Sequence, residues 1–242
     1  MNVSNVCGLI KNEILSVWYR GANYECPFCN KKCRKFSVAG IDKRANAKCP
    51  LCQSLERHRF LWLYLRNKTP FFEERIKVLD VAPTPFFQKM CKKLPNMEYV
   101  SADISSPIAM VKMDITDIKL PDEQFDCIIC YHVLEHITED SKAIGELFRI
   151  LKRGGWAIIQ SPIDPNREKT FEDHAITGFN DRIKNFGQGD HVRIYGLDYI
   201  KRLEEAGFIV RIDDYYCELP SDISQKYGLL KDEKIYFCMK KR

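Results

Sequence analysis

Long hydrophobic runs are missing from the sequence, as are internal repeats and low-complexity tracts. A membrane-spanning helix needs about 18 consecutive apolar residues, and no segment comes close to that. Hydrophobic residues nevertheless make up 45% of the 242 positions, which is enough for one sizeable core and a small additional module. The absences exclude a membrane-spanning or repeat protein, and the composition predicts a globular one that needs no membrane partner.

The excess of positive over negative charge is small too. Lysine and arginine total 38 against 33 acidic residues, a formal net charge of +5. Such a small excess lacks the basic field of a dedicated nucleic-acid-binding protein. The 11 cysteines are an odd number spread through strand-like and helix-like segments. They therefore predict reduced thiols, a bound metal and a cytoplasmic setting rather than a disulfide scaffold.

Changes of periodicity divide the chain into four regions. Residues 1–20 have the apolar spacing of an amphipathic helix and lack the unbroken apolar stretch of a signal peptide. Residues 21–53 are turn-rich and carry paired cysteines, and residues 54–75 contain a predicted connecting helix. In residues 76–242 short β-rich runs alternate with helical patterns, which predicts an α/β fold with a doubly wound, mainly parallel sheet.

The β-rich runs and helices of the last region are short and clearly spaced. The predicted strands are IKVLDV, EYVSAD, FDCIICY and WAIIQS, then 208–213 and 234–239. A strong helix is predicted at 140–152, closed by Gly154-Gly155, and another at 197–206. The polar stretch 164–195 is predicted to be a long irregular segment, and such segments are usually functional or mobile.

Two C-x2-C pairs are the most specific local signal. Cys26-Pro-Phe-Cys29 and Cys49-Pro-Leu-Cys52 have 19 residues between them, the spacing of a four-thiolate zinc ribbon. Four protein ligands close the coordination sphere, so the predicted zinc is structural. The alternative, a redox pair, requires one C-x-x-C in a βαβ setting instead of two matched pairs. Cys33 is a substitute ligand of lower rank.

From Lys77 to about Met239 the sequence resembles the class I S-adenosylmethionine-dependent methyltransferases of the small-molecule branch with a V-L-E-H signature. Seven segments carry the resemblance, in order: Val78–Ala82, Ala102-Asp103, Met113–Ile115, Phe125–Ile129, His132–His136, Arg149–Gly155 and Ala206–Phe208. The resemblance implies a seven-stranded Rossmann-like sheet that binds S-adenosylmethionine. In a doubly wound sheet that ligand lies at the carboxyl ends of the strands, where the strand order reverses.

The resemblance assigns roles to three acidic residues. Asp103 would accept from the ribose hydroxyls, Asp114 with Ile115 would hold the adenine, and Asp80 would orient the methionine ammonium. Further contacts to the cofactor are expected from residues beside these strand ends, namely Ala82, Pro83, Ile104, Tyr131 and His132. Taken singly, each acid reads equally well as a solvated turn residue or a helix cap.

The first loop departs from the family. Most members follow the first strand with glycines, whereas this chain has Ala82-Pro83-Thr84-Pro85-Phe86. Two prolines fix φ and remove two backbone donors, so this loop should be rigid and should contact the cofactor differently. The glycine fingerprint of dinucleotide-dependent oxidoreductases is absent, which argues against hydride transfer.

His132-Val-Leu-Glu135-His136 is the first candidate for the chemistry. His132 leaves the fourth strand beside the expected sulfonium, where a neutral imidazole takes a proton from the substrate with Glu135 nearby. Some relatives with this signature hold a divalent, magnesium-type ion here. The same letters match the H-x-x-E-H motif of zinc peptidases, but that motif belongs inside a long helix. Packing residues at a helix start are the other interpretation.

Gly189–Gly196 is the second candidate. It resembles a D-H-x-R-x-Y-G segment of related enzymes, in which His191 serves as base, Asp190 orients it and Arg193 holds an anionic group. The predicted substrate contacts are Arg57, His136, His174, Arg193 and Tyr195, although a solvated basic face explains most such runs.

Three functions remain open from the sequence. The leading one is methylation of an oxygen or nitrogen of a small polar, anionic metabolite such as a sugar or a phosphorylated precursor. The second is an RNA methyltransferase that binds RNA through the zinc ribbon, whose Phe28 and Phe36 are its few stacking candidates. The third is a non-catalytic binding module that keeps the cofactor fold.

Overall fold

The computed structural model describes residues 17–41, 43–231 and 233–242, and it divides into two compact units. Unit 1 runs to Glu73 and takes in Asp214–Lys234, and unit 2 consists of Glu74–Asp213 and Ile235–Arg242. The predicted boundary at 75/76 lies close to the observed one. Most of the predicted helix over 1–20 lies outside the described residues.

Unit 1 is built from two small hairpins and one helix. Strands β1 (Tyr24–Cys26) and β2 (Lys31–Cys33) pair antiparallel, as do β3 (Ser37–Ala39) and β4 (Arg44–Lys48). Helix α1 (Glu56–Lys68) follows. Six consecutive residues of α1, from Phe60 to Leu65, are buried, so this helix is surrounded by protein rather than amphipathic.

Unit 2 contains a seven-stranded sheet in the order β12-β13-β9-β8-β5-β6-β7. The strands are β5 (Ile76–Val81), β6 (Met97–Asp103), β7 (Val111–Lys112), β8 (Phe125–Tyr131), β9 (Leu151–Gln160), β12 (Ile209–Asp213) and β13 (Ile235–Met239). All neighbours pair parallel except β13, which is antiparallel to β9 and to β12. The strand order reverses between β5 and β8, so the predicted doubly wound α/β fold is confirmed.

The helices of unit 2 cover a core centred on the middle strands. They are α2 (Pro85–Cys91), α3 (Asp140–Ile150), α4 (Phe179–Phe186) and α5 (Tyr199–Glu205). Ala143, Ile144, Leu147 and Ile150 recur at helical spacing in α3 and are fully buried against Leu79 and Ile128 of the sheet. No helix in the described part of the chain has the length and hydropathy to cross a membrane.

Two local predictions differ from the structure. Gly154-Gly155 lies inside β9 and does not close a helix: α3 stops at Ile150, and Leu151 already pairs with Phe125 ahead of a register shift that absorbs the two glycines. The polar stretch 164–195 is less irregular than predicted. It holds α4 and a short ribbon of β10 (Phe171–Glu172) with β11 (Arg193–Ile194).

Residues 214–234 link β12 to β13, yet they pack within unit 1 and not with the sheet as predicted. They form a 3-10 turn at Tyr215–Glu218 and helix α6 (Ser221–Lys226). Arg59 of α1, fully buried, donates to the carbonyls of Tyr227 (2.7 Å) and Gly228 (2.7 Å). These hydrogen bonds hold the segment because unsatisfied buried carbonyls are costly.

Candidate cofactor and catalytic site

The rim of the sheet at its switch point is formed by two left-handed residues. Ala82 follows β5 with φ 54°, and His132 follows β8 with φ 60°. Their backbone N–H groups donate to Ala102 (2.8 Å) and Gln160 (2.7 Å) on neighbouring strands. A left-handed non-glycine residue costs about 1–2 kcal/mol, and such strain concentrates at functional sites. The backbone therefore turns sharply after β5 and again after β8, at the edge where a doubly wound fold binds its ligand.

The proline-bearing loop after β5 keeps the glycine-like turn without a glycine. Ala82 is exposed and takes the positive φ, whereas Pro83 is buried and Pro85 begins α2. Proline in the first helical turn loses no hydrogen bond, since that N–H has no partner inside the helix. The predicted rigidity therefore comes from a helix that starts three residues after the left-handed turn.

Asp103 and Asp114 lie at or near the ends of adjacent strands, and Oδ1 of each carboxylate accepts hydrogen bonds from the residues that follow it. β6 and β7 pair in parallel, and the N–H of Met113 donates to the Asp103 carbonyl at 3.0 Å. Oδ1 of Asp103 accepts from the N–H groups of Ser105 (2.8 Å) and Ser106 (2.7 Å). Oδ1 of Asp114 accepts from the N–H and hydroxyl of Thr116, both at 2.8 Å. Hydrogen bonds from these residues thus fix each carboxylate through Oδ1 and leave Oδ2 for a ligand.

The electrostatics of Asp114 agree with an ionised acceptor. The hydrogen bonds from Thr116 and the charge of Lys142 hold the pKa of Asp114 below its ordinary value, although the side chain is exposed. An ionised carboxylate at this position accepts hydrogen bonds and cannot donate them. That is the property expected of the residue predicted to hold an exocyclic amine.

Asp80 differs from the other two acids because its side chain is buried. Only 5% of the residue is exposed, and the Tyr99 hydroxyl donates to its Oδ2. Burial raises the pKa of Asp80 to about 7, against the lowering effect of the hydrogen bond from Tyr99. The three acids therefore lie at or near the carboxyl ends of neighbouring strands, as expected, but Asp80 is enclosed inside β5, beneath the rim.

The apolar residues beside the strand ends also differ in how exposed they are. Ile104 is 56% exposed next to Asp103, which leaves its side chain free to cover a ligand ring. Ile115, the residue predicted for that task, is 5% exposed and belongs to the core cluster. Tyr131, partly exposed at the end of β8, makes an edge contact with His132.

A chain of polar side chains follows the end of β8. His132 Nδ1 lies 3.2 Å from Oε1 of Glu135, whose Oε2 accepts from the Ser161 hydroxyl at 3.0 Å. Desolvation alone would raise the pKa of Glu135, but the hydrogen bond from His132 and the charges of His132 and His136 keep this pKa below its ordinary value. Glu135 is therefore a buried carboxylate that orients His132. Ser161, at the end of β9, was missed by the sequence analysis because a serine after a strand is common in turns.

His136 and His191 lie close to Glu135 and contact each other. The two rings meet edge to face with centroids 4.9 Å apart, and His136 Nδ1 lies 3.1 Å from the carbonyl oxygen of Asp190. The N–H of Val192 donates to the Glu135 carbonyl at 2.9 Å, which joins the two predicted motifs. Burial lowers the pKa of His191, so its imidazole is neutral near pH 7.

Arg193 and Tyr195 have a different role from the predicted substrate contacts. Arg193 is 1% exposed, and its guanidinium donates to the carbonyls of Leu134 (3.0 Å), Ile137 and Thr138 (2.9 Å) and to Glu172 (2.7 Å). The fully buried Tyr195 donates to Asp140 at 2.7 Å. The polar groups of both side chains therefore form hydrogen bonds that hold the 134–140 segment, and not contacts to a substrate.

The remaining predicted substrate contacts stay predictions. His174 is exposed, just after β10. Arg57 lies on α1 of unit 1. The zinc-peptidase interpretation loses its structural basis, because Leu134–His136 is a single 3-10 turn and not the interior of a long helix.

In unit 1 the four predicted cysteines form one cluster. Their sulfur atoms all lie within 4.8 Å of one another, with Cys26 and Cys52 3.6 Å apart and Cys29 and Cys49 3.9 Å apart. Four sulfurs around a tetrahedral zinc at about 2.3 Å are about 3.8 Å apart. The residues present therefore fit a zinc ion. Cys33 is buried outside the cluster, and burial raises the pKa of its thiol to about 11.

The two cysteine pairs have the same backbone turn. The N–H of Asn30 donates to the Cys26 carbonyl (2.8 Å), and the N–H of Gln53 donates to the Cys49 carbonyl (2.9 Å). Asn30 and Gln53 both have positive φ, at 55° and 67°. Each pair is therefore a knuckle of the same shape, as expected when two thiolates must approach one ion from a tight turn.

Comparison with known proteins agrees with this geometry. Residues 69–159 match the family described as methyltransferase domain. A stretch of 102 residues is 28% identical to the ubiquinone/menaquinone biosynthesis C-methyltransferase UbiE of Francisella philomiragia, and it covers 41% of this chain. The matched stretch spans only 36% of that relative's length.

Solved structures share the fold at low sequence identity. A SAM-dependent methyltransferase from Archaeoglobus fulgidus superposes with a TM-score of 0.50 at 18% identity, over 75% of this chain and 93% of the other. A phosphoethanolamine N-methyltransferase of Haemonchus contortus, in complex with S-adenosyl-L-methionine, gives 0.50 at 13% identity, over 75% and 52%. At this identity the solved structures show the shared fold, and the predicted enzyme class rests on the family match over residues 69–159.

Proposed function

We propose that this chain, which carries a class I S-adenosylmethionine-dependent methyltransferase domain, methylates an oxygen or nitrogen of a small polar substrate. The observation that supports this is the His132–Glu135–Ser161 chain of polar groups at the end of β8. An oxygen or nitrogen nucleophile sheds a proton on methylation, and an oriented imidazole beside the methyl group is a suitable acceptor.

The cofactor is proposed to lie across the ends of β5, β6 and β8. Oδ2 of Asp103 would accept from the ribose hydroxyls, and Oδ2 of Asp114 from the adenine amine. Ile104 would cover the adenine, because Ile115 is committed to the core. The left-handed turn at Ala82 brings its backbone to the rim, where glycine serves in relatives.

When bound, the cofactor would supply a methyl group on its sulfonium, and the acceptor atom would displace S-adenosylhomocysteine from the methyl carbon in line. The displaced proton goes to His132, and the charge that develops on this imidazole is balanced by Glu135 at 3.2 Å. The sulfonium is already activated, so alignment is the main task of the protein.

Methylation of a ring carbon, as named for the UbiE relative, is the second candidate. That sequence similarity favours it, whereas the histidines and acids around Glu135 favour a polar acceptor. RNA methylation receives less support, because Phe28 and Phe36, its expected stacking residues, are 1% and 2% exposed.

We also propose that the cysteine cluster holds one structural zinc ion. All four thiolates come from the protein, which leaves no position for substrate or water. The ion would join the two knuckles, and so fix the hairpins of unit 1.

The test of cofactor binding is a calorimetric titration with S-adenosylhomocysteine. D103N and D114N should each weaken binding about tenfold or more, since each replaces a carboxylate that accepts from the cofactor. E98Q is the matched control, because Glu98 lies on the same strand as Asp103, is 67% exposed, and pairs with Lys77. No binding to the parent protein, or equal loss in E98Q, would contradict the proposed cofactor site.

The test of catalysis is turnover of methyl-labelled cofactor against panels of hydroxyl, amine and quinol acceptors. H132N should retain S-adenosylhomocysteine affinity and lose transfer. Transfer to quinol carbons alone would select the second candidate.

A further inference from the structure

Glu135, His136 and His191 form a second candidate metal site, separate from the cysteine cluster. One ligand atom from each of the three lies within 4.8 Å of the others. Two imidazoles and one carboxylate that converge on a point form a set suited to a divalent transition metal, with open positions for water or substrate. We propose that this triad binds one such ion, of the manganese, iron, cobalt or zinc type.

The immediate surroundings of the triad are those of a prepared site. His136 Nδ1 faces the Asp190 carbonyl at 3.1 Å, so this nitrogen carries the proton and Nε2 is left to bind the ion. Glu135 receives hydrogen bonds on both carboxylate oxygens, from His132 and from Ser161. Such partners fix the tautomer and direction of ligands in metal sites, and their loss typically costs 10–100-fold in affinity.

The backbone also brings the three ligands together in a fixed way. Glu135 and His136 belong to the 3-10 turn after β8, and His191 comes from a loop 55 residues later in the chain. Val192 N–H to the Glu135 carbonyl, at 2.9 Å, ties that loop to the turn directly beside the ligands. Arg193 then binds the carbonyls of Leu134 and Thr138, on both sides of the ligand pair. These hydrogen bonds hold the ligand residues in place from both segments, as a metal site requires.

The donor set distinguishes this proposal from a magnesium site. Magnesium prefers oxygen ligands and keeps its waters, whereas two imidazoles favour a borderline transition metal. Of the roles considered for His191, base or ligand, the geometry points to ligand, because the ring is buried against His136. His132 stays outside the triad, next to Glu135, as the proton acceptor.

An ion held here would bind the acceptor oxygen of the substrate through an open position. A cation lowers the pKa of a bound hydroxyl or water, so the oxygen becomes a better nucleophile before it attacks the methyl carbon. The substrate class implied is a molecule with a hydroxyl or carboxylate oxygen that ligates the ion. This step deepens the proposed function, whereas binding of the ion is independent of it.

The test uses the full-length protein with one zinc ion per chain, which fills the cysteine cluster and leaves the triad open. Mn²⁺ is the probe, and free Mn²⁺ is followed by electron paramagnetic resonance. The parent protein should bind one Mn²⁺ per chain saturably. H136N and H191N should each weaken binding at least tenfold. H174N is the matched control, because His174 is an exposed histidine of the same polar stretch and is not in the triad.

Two readouts keep the result interpretable. Zinc content and S-adenosylhomocysteine affinity, measured on the same samples, report whether the variants are folded and whether the cofactor site is intact. Absence of saturable Mn²⁺ binding to the parent, or the same affinity in H136N and H191N as in H174N, would overturn the metal site. Loss of cofactor binding in the parent, with Mn²⁺ binding intact, would overturn only the proposed function.

Discussion

Asp80 offers the sharpest test of the electrostatics at the sheet rim. Its carboxyl is buried beside Tyr99, and burial raises its pKa to about 7, whereas an aspartate in the unfolded chain titrates near 3.9. Between these two values the folded protein holds a proton that the unfolded chain has released. The free energy of unfolding therefore falls as the pH rises through this window.

The size of the effect follows from the two pKa values. Each pH unit inside the window changes the free energy of unfolding by about 1.4 kcal/mol. The contribution of Asp80 should therefore fall by about 2.5 kcal/mol from pH 4.5 to 6.5, and its total loss should level off near 4 kcal/mol above pH 8. D80N has no proton to lose and keeps an oxygen that accepts from Tyr99. The stability of D80N relative to the parent should therefore rise by that amount over the same range.

The assay is urea unfolding of the parent, D80N and the control E98Q at a series of pH values and constant salt. E98Q should show no such slope, because Glu98 is exposed. Y99F should move the end of the slope to higher pH, since the hydrogen bond from Tyr99 lowers the pKa of Asp80. A flat difference between D80N and the parent would refute the assignment of a protonated, buried carboxyl.

The same proton bears on the cofactor. If Asp80 orients the methionine ammonium, as the sequence resemblance implies, then a bound cation favours the ionised carboxylate. Affinity for S-adenosylhomocysteine should then rise as the pH passes through 7 in the parent and stay level in D80N. Equal pH dependence in both proteins would remove Asp80 from the cofactor site.

Two further predictions concern the turn at the rim and the cysteine cluster. A82G should stabilise the protein by about 0.5–1 kcal/mol in urea unfolding, because glycine accepts the positive φ of Ala82. The control A175G, in an exposed loop, should be neutral or destabilising. Destabilisation by A82G would contradict a strained turn at this position. Removal of zinc by a chelator should expose both 21–53 and 214–234 to hydrogen exchange while the strands of unit 2 stay protected, since structural zinc contributes on the order of 10 kcal/mol to folding. C33S should keep its zinc and C49S should lose it, and protection of 214–234 after zinc loss would show that this segment does not depend on the cluster.

Much of unit 2 could be predicted from the sequence because its strands and helices have local signals. The runs IKVLDV and FDCIICY became β5 and β8 at nearly the predicted limits, and the helix at 140 has apolar residues at helical spacing. The cysteine pairs were equally readable, because their spacing encodes a turn and a ligand set. Asp103 was predicted for a similar reason, since it ends a recognisable strand, whereas Asp114 was predicted from the family resemblance and lies two residues after the short strand β7.

The residues that were assigned incompletely depend on contacts distant in sequence. Residues 214–234 have no local pattern that assigns them to unit 1, because Arg59, more than 160 positions earlier, supplies the hydrogen bonds that hold them. Asp80 looks like its two fellow acids in the sequence, and only the packing of Tyr99 against it shows that it is buried. Periodicity reports which face of an element is apolar, but it does not report which polar side chain will be enclosed.

The two buried arginines extend this argument to the site itself. Arg193 was predicted to hold an anionic group, and Arg59 is close in sequence to Arg57, another predicted substrate contact, yet both buried arginines donate mainly to backbone carbonyls. Leu134 begins the 3-10 turn, and Ile137 and Thr138 follow it outside any strand or helix, so their enclosed carbonyls need donors from elsewhere. Arg193 supplies those donors, and Glu172 beside it offsets its charge. The turn that carries Glu135 and His136 can therefore stay irregular, with its side chains directed to one point, because a residue from the following polar segment takes the place of secondary structure.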